Sequence, residues 1–192
     1  MKKLSEMTNK ELWQLFPIIL REHNQDYINW FEEEKQNIIN SINIKNIARI
    51  SHIGSTAVKG LIAKPTVDIL LEITSDTDLD NLKTSLVSQG YIYLPQADNP
   101  PPHMMFMKGY TEQGFAEKVF HLHVRYPGDW DELYFRDYLE EFDDIARQYE
   151  NLKLELIKIY KNNRDAYTQA KTKFIKKHSQ SAKVLYKDRY KP

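Results

Sequence analysis

The chain has 192 residues, with 27 Lys plus Arg against 27 Asp plus Glu and a formal charge of zero at pH 7. That balance excludes a strong overall field for DNA or anionic membranes, so nucleic acid is not the expected partner and only local basic patches remain. With 41% apolar residues, 12% aromatic residues and no cysteine, the chain can build a core but not disulfides, thiolate zinc sites or cysteine nucleophiles. Any metal falls to His, Asp and Glu.

No apolar stretch approaches the roughly 20 residues that span a bilayer. The opening "MKKLSEMTNKELW" has no apolar h-region after its lysines. The expectation is a cytoplasmic protein without a membrane partner.

Thr8 with Glu11 three positions later reads as a capping box opening a first helix. From Asp26, "DYINWFEEEKQNIINSI" repeats Ile28, Phe31, Ile38 and Ile39 at helical spacing. A β-branched segment, 47–53, ends at Gly54, and a second strand covers 66–73. "SDTDLDNLKTSLVSQG" is a helix with aspartates at its start and Gly90 at its end. "YIYLP" is a short strand, and "QADNPPPH" is a loop because consecutive prolines remove donors and fix φ.

"MMFMKGY", a turn at "TEQG" and "FAEKVFHLHVRY" form a β-hairpin. From Asp131 the pattern is helical: "DELYFRDYLEEF", "DDIARQYENLKLELIKIY" and "RDAYTQAKTKFIKKH". The expected class is α/β (α+β): one domain over 1–192, with a mixed-sheet core at 27–130, a helical cap at 131–178 and a solvated tail at 179–192.

Period-2 alternation in 66–73 places Val67, Ile69, Leu71 and Ile73 on one face and Thr66, Asp68, Leu70 and Glu72 on the other. Asp68 is then either a satisfied structural carboxylate or a functional acid. In "VFHLHVRY", Phe120, Leu122, Val124 and Tyr126 share one face; His121, His123 and Arg125 share the opposite one. Two such histidines lie about 7 Å apart, close enough to converge on one metal or one phosphate. Gly54 permits close backbone approach, Ser55 offers a hydroxyl, and Lys59 and Lys64 add charge, as a phosphate-holding turn needs. Tyr167, Lys171 and Phe174 share a helix face, where Tyr167 can stack on a base and Lys171 can reach a phosphate; the bland alternative is core and solvated lysine. Arg136 and Lys153 read as salt-bridge partners, and His52 and His103 as structural or surface residues.

"HIGSTAVKGLIAKPTVDILLEI", the "KG" at 108–109, "HLHVRY", "LYFRDYLEEF", "YENLKLELIKIY" and "AYTQAKTKFI" resemble the GrpB family of small bacterial proteins across roughly residues 27 to 178. The resemblance implies the nucleotidyltransferase superfamily and its polymerase-β-like fold, Gly54 and Ser55 at nucleotide phosphates, and Asp68 as a metal-binding acid. Related domains fused to dephospho-coenzyme A kinase imply a functional link to coenzyme A metabolism. The chain departs from the superfamily where D-x-D would place a second acid, since that position is Leu70. Glu72 lies about 13 Å from Asp68 along the strand.

Asp68, His121 and His123 are therefore expected as a catalytic and metal-binding set. It would hold a divalent ion, Mg²⁺ or Mn²⁺, with Zn²⁺ admitted by the imidazoles. Gly54, Ser55, Lys64, Arg125, Tyr167 and Lys171 are expected to bind phosphate or nucleotide. The expected function is a nucleotidyltransferase-like protein binding a nucleotide or related phosphorylated small molecule. The alternatives are a non-catalytic nucleotide- or coenzyme A-binding module and a metal-dependent phosphoester hydrolase.

Overall fold

The computed structural model describes residues 2–96, 99 and 101–192, so residues 97, 98 and 100 of the expected proline-rich loop lie outside the described residues. Among the described residues, five strands form one mixed sheet: β1 (Ile47–Ile53), β2 (Val67–Ile73), β3 (Ile92–Leu94), β4 (Met104–Thr111) and β5 (Gly114–Arg125). The order across the sheet is β1-β2-β5-β4-β3, with β2 parallel to β5 and the other neighbours antiparallel. The helices are α1 (Asn9–Leu15), α2 (Asp26–Ser41), α3 (Leu79–Ser88), α4 (Asp131–Glu141), α5 (Asp143–Tyr160) and α6 (Arg164–Tyr186). This is the expected mixed α/β body with a helical C-terminal third. No described helix is long and apolar enough to cross a membrane.

The sheet has two unlike faces because its central strands alternate. Val67, Ile69, Leu71 and Ile73 join Phe120, Leu122 and Val124 in one core against Tyr27, Phe31 and Ile38 of α2 and Leu82 and Leu86 of α3. The stripe of α2 runs through Tyr27, Phe31, Glu34 and Ile38, not through Ile28, which is exposed. Glu34 can stay buried because Lys108 donates to it at 2.8 Å. The opposite face of the sheet lies under α4 and α6, where Leu70 packs with Ile53 and Leu133.

Gly109 changes which residues reach that second face. The β4–β5 register slips between Lys108 and Tyr110, and Gly109 has φ +88°, where a Cβ would stand 2.2 Å from the Lys118 carbonyl oxygen. Between the pairs Lys108–Phe120 and Tyr110–Phe115 the surplus residues lie in β5, and such an irregularity re-aims the side chains beyond it. Tyr110 consequently points to the same side as His121.

Two segments bind more tightly than their sequences suggested. Residues 17–21, between α1 and α2, cross toward the C-terminal helices: Ile18 N donates to Lys161 O, and Arg21 and Ala63 exchange main-chain hydrogen bonds, each at 2.9 Å. The core boundary expected at residue 27 leaves this strap out. The tail, expected as a frayed, solvated helix, continues α6 to Tyr186 with most of its residues exposed, but its end docks on α4. Arg189 pairs with Asp137 at 2.8 Å and Tyr190 Oη donates to it at 2.5 Å. The reason is Asp137 itself: a largely buried carboxylate needs several donors, and Arg136 supplies another at 2.6 Å.

Candidate functional site

After β1 the chain turns at Gly54, with φ 73° and ψ −173°, into a 3₁₀ turn at Ser55–Ala57. That backbone region is open essentially to glycine alone, and a Cβ there would meet Asp68 Oδ2 at 2.5 Å. The loop and the acid thus touch. Gly54→Ala should cost about 2 kcal/mol from backbone strain and push the Asp68 carboxylate off His121. A fall in melting temperature of about 4–8 °C would show it; an unchanged value would refute the close approach.

The loop beyond Gly54 is pinned from two sides. Thr56 Oγ1 donates to Thr66 O at 3.0 Å and lies 3.0 Å from His52 Nε2. His52 also stacks on Phe31, a structural role as expected. From α5, Lys153 donates to Ile62 O and to Ser55 Oγ, the latter at 3.3 Å. The expected salt bridge is not what this buried lysine makes; both of these acceptors are neutral oxygens. Arg136 does pair with a carboxylate, Asp137, as expected.

On the sheet, Asp68 stands beside His121 in the β2–β5 register. His121 Nδ1 lies 3.0 Å from Asp68 Oδ1, and its Nε2 lies 2.7 Å from Tyr110 Oη. An ionised carboxylate only accepts, so Nδ1–H donates to Asp68 and Nε2 accepts from the phenol. Burial alone would push the Asp68 carboxyl up, but the His121 hydrogen bond and the Lys64 charge hold it at about 2. Burial pushes His123 down to about 4 and lowers His121 as well, Lys64 adding to the latter. Both imidazoles are neutral at pH 7.

These hydrogen bonds compete with the expected metal centre. His121 has both ring nitrogens committed, and among the described residues no three His, Asp or Glu groups converge as metal ligands. The donor set therefore does not fit a two-histidine, one-carboxylate site. His123 faces the same cavity opposite Leu70, two register pairs further along. Glu72 supplies no second acid: it is fully buried, paired with Arg49 Nη2 at 2.8 Å and accepting from Gly128 N at 3.1 Å. Arg125 also departs from expectation. Its guanidinium donates to Val124 O at 3.0 Å and lies over Trp130, outside the cavity walls.

The remaining expected residues meet around one cavity of about 980 Å³. Gly54, Ser55 and Lys64 form one side; Asp68, His121 and His123 lie on the sheet; Tyr167 and Lys171 come down from α6. Lys171 lies over the Tyr167 ring at 4.6 Å, while Phe174 turns away into a cluster with Phe135 and Tyr149. Leu94, Met105, Met107 and Trp130 give the cavity an apolar middle. Burial lowers the Lys64 ammonium to about 7, with Arg164 and Lys171 adding to the effect and Asp68 opposing it. Burial also lowers Lys153 to about 7, aided by Lys171.

Arg164 went unremarked in the sequence. It opens α6 and lines the cavity over the Tyr110 ring. Its signal was available, since Arg164, Tyr167 and Lys171 fall at i, i+3 and i+7 on one helix face.

Comparison with known proteins agrees with the resemblance. The family model for "GrpB protein" matches residues 17–181. The chain is 32% identical over 162 residues to the glutamate-rich protein GrpB of Alkalihalophilus pseudofirmus, covering 82% of this chain and 91% of that one. It superposes on the crystal structure of conserved protein GrpB from Enterococcus faecalis with a TM-score of 0.76 and 28% identity, covering 88% and 99% of the two chains. The Cid1 poly(U) polymerase aligns with 78% of this chain and 45% of its own at a TM-score of 0.47 and 12% identity, too slight a likeness to bear on chemistry. With its family model matched over most of its length and its sheet and cap shared with a GrpB crystal structure, this chain belongs to the GrpB family.

Proposed function

We propose that the cavity binds a nucleotide or related phosphorylated small molecule, with the coenzyme A-like ligands in that class. The observation that carries this is an imbalance of charge: Lys64, Arg164 and Lys171 gather near the Asp68 carboxylate in a partly enclosed space. Asp129, Asp131 and Glu132 also line the cavity, but Lys183 pairs with the first two, and Lys153 and Lys176 bring the lining to six cations against four carboxylates. Cations crowded out of water are stabilised by an anionic ligand. The volume suits a small molecule, and the apolar middle suits a flat or aliphatic body behind the phosphates. Gly54 and Ser55 add a turn that can approach phosphate closely.

Binding is the reading the geometry supports best. Leu70 stands where a second metal-holding acid would be, and His121 is committed to Asp68 and Tyr110. Nucleotidyl transfer is the second reading, favoured by an ionised Asp68 facing the same cavity as the cations.

Thermal melting with nucleotides and coenzyme A, with and without Mg²⁺, Mn²⁺ and Zn²⁺, tests the proposal. A ligand at about 100 times its Kd adds about 2.7 kcal/mol, roughly 5–10 °C at this size. Absence of any response would end it. Without metal, Asp68→Asn should tighten phosphate-bearing ligands by removing a like charge. Weakening, together with transfer of labelled nucleotide by the wild type, would favour transfer through a metal bridge.

The dependence on pH has a definite sign. A bound anion raises the Lys64 pKa above its free value of about 7, so binding takes up a proton above that pH. Affinity should fall by up to about tenfold per unit as pH rises from 7. The free protein should do the opposite. Lys64 and Lys153 lose their protons at about 7 when folded but near 10.5 when unfolded. The unfolded chain thus holds more protons between those values, and the stability of the free protein rises with pH across that window.

A further inference from the structure

Two arginines of this protein share a habit. Arg49 presents its Nε and Nη2 edge to Glu72, and Arg136 presents the same edge to Asp137, with Nε–H donating at 2.9 Å and Nη2–H at 2.6 Å. On that edge the two N–H vectors run parallel, matching a pair of oxygens on a planar or tetrahedral anion. Arg164 has the same edge shielded from solvent, yet among the described residues neither Nε nor Nη2 finds a hydrogen-bond partner. A buried guanidinium edge left empty is costly, because its donors have lost water and gained nothing.

The position of that edge gives it meaning. Arg164 lies over the Tyr110 ring at 5.4 Å, so its plane is held by a residue that the Gly109 bulge and His121 fix in turn. It lines the cavity together with Lys64. Both nitrogens are covered by protein, so an acceptor with two oxygens reaches them by displacing the groups that now close the edge off from the cavity.

We infer that the Nε/Nη2 edge of Arg164 is the anchor for the ligand's anionic group, gripping two oxygens of a phosphate or carboxylate side-on at the end of the cavity beside Tyr110. Lys64 supplies a point charge to the same group. This deepens the phosphorylated-ligand reading and rests on it only in placing the ligand in this cavity. Phosphate and carboxylate share the chemistry, and the experiment separates them.

The test is to follow arginine Nε–H signals of the ¹⁵N-labelled full chain by NMR while adding pyrophosphate, malonate or ATP. Arg164→Lys assigns the Arg164 signal. The Arg49 and Arg136 signals serve as internal standards, since their edges are already engaged. The expected result is a displaced and slowly exchanging Arg164 signal with pyrophosphate, unmoved standards, and at least tenfold weaker pyrophosphate binding in Arg164→Lys, which keeps the charge but loses the fork. Response to malonate alone assigns the group to carboxylate.

An Arg164 signal unmoved by all three additions overturns the inference. If ATP raises the melting temperature while that signal stays still, the anchor is wrong and the ligand-binding reading survives. If pyrophosphate moves the signal but no nucleotide or coenzyme A stabilises the protein beyond pyrophosphate, the anchor stands and the nucleotide reading falls.

Discussion

Gly109→Ala should be among the most damaging single methyl additions in this protein. The new Cβ would lie 2.2 Å from the Lys118 carbonyl, a main-chain atom that cannot swing aside, at a φ of +88°. Strain of about 1–3 kcal/mol and overpacking of about 1–3 kcal/mol together give a loss near 4 kcal/mol. That corresponds to a melting temperature lower by about 8–16 °C. The effect should reach the cavity. Relief of the clash moves β4, withdraws Tyr110 from His121 Nε2 and removes the aromatic platform under Arg164. Calorimetry gives the first quantity, and the tyrosine–histidine hydrogen bond can be followed by imidazole ¹⁵N shifts. A variant with wild-type melting would show that the bulge is not set by Gly109.

Arg49→Met is expected to be as costly for a different reason. Glu72 is completely buried, and removing its partner strands a carboxylate whose remaining described donor is Gly128 N. Breaking a buried pair from one side costs about 3–5 kcal/mol. Arg49 also stacks on Tyr190 at 5.1 Å, so the docked C-terminal segment should loosen with it. The double variant Arg49→Met/Glu72→Leu should recover most of the loss, because no buried charge is then stranded and only the Gly128 N–H loses its acceptor. Urea unfolding of the single and double variants decides the matter. Equal stability of the two would mean that Glu72 is satisfied without Arg49.

Both variants concern features that the sequence carried but did not interpret. The two-sidedness of β2 and β5 was legible, because strand alternation has a fixed period and the apolar residues obey it. It placed Asp68, His121 and His123 on one face, and the structure brings all three to one cavity. What alternation could not supply was competition between partners. His121 looked like a free ligand until Tyr110 arrived through an irregularity of the β4–β5 pairing at Gly109. Arg125 shared the right parity but lay at the strand end, where Val124 O and Trp130 took it. Charged residues of the tail read as solvated because nothing local announces that Asp137, some fifty positions earlier, requires them. Lys153 shows the same limit, since a lysine among glutamates on α5 gives no hint that it reaches Ser55.

The strap at 17–21 is sewn down by a handful of main-chain hydrogen bonds, yet Ile18 and Leu20 on it form part of the cavity wall. A chain shortened to begin at Asp26 would retain the sheet and the charged groups while opening a window beside them. Water entering through that window would raise the local dielectric and let Lys64 titrate as an ordinary surface amine. Anions would then be held by screened charges in place of desolvated ones. The proposed grip on a ligand would then depend on a stretch of backbone that supplies none of the cations lining the cavity.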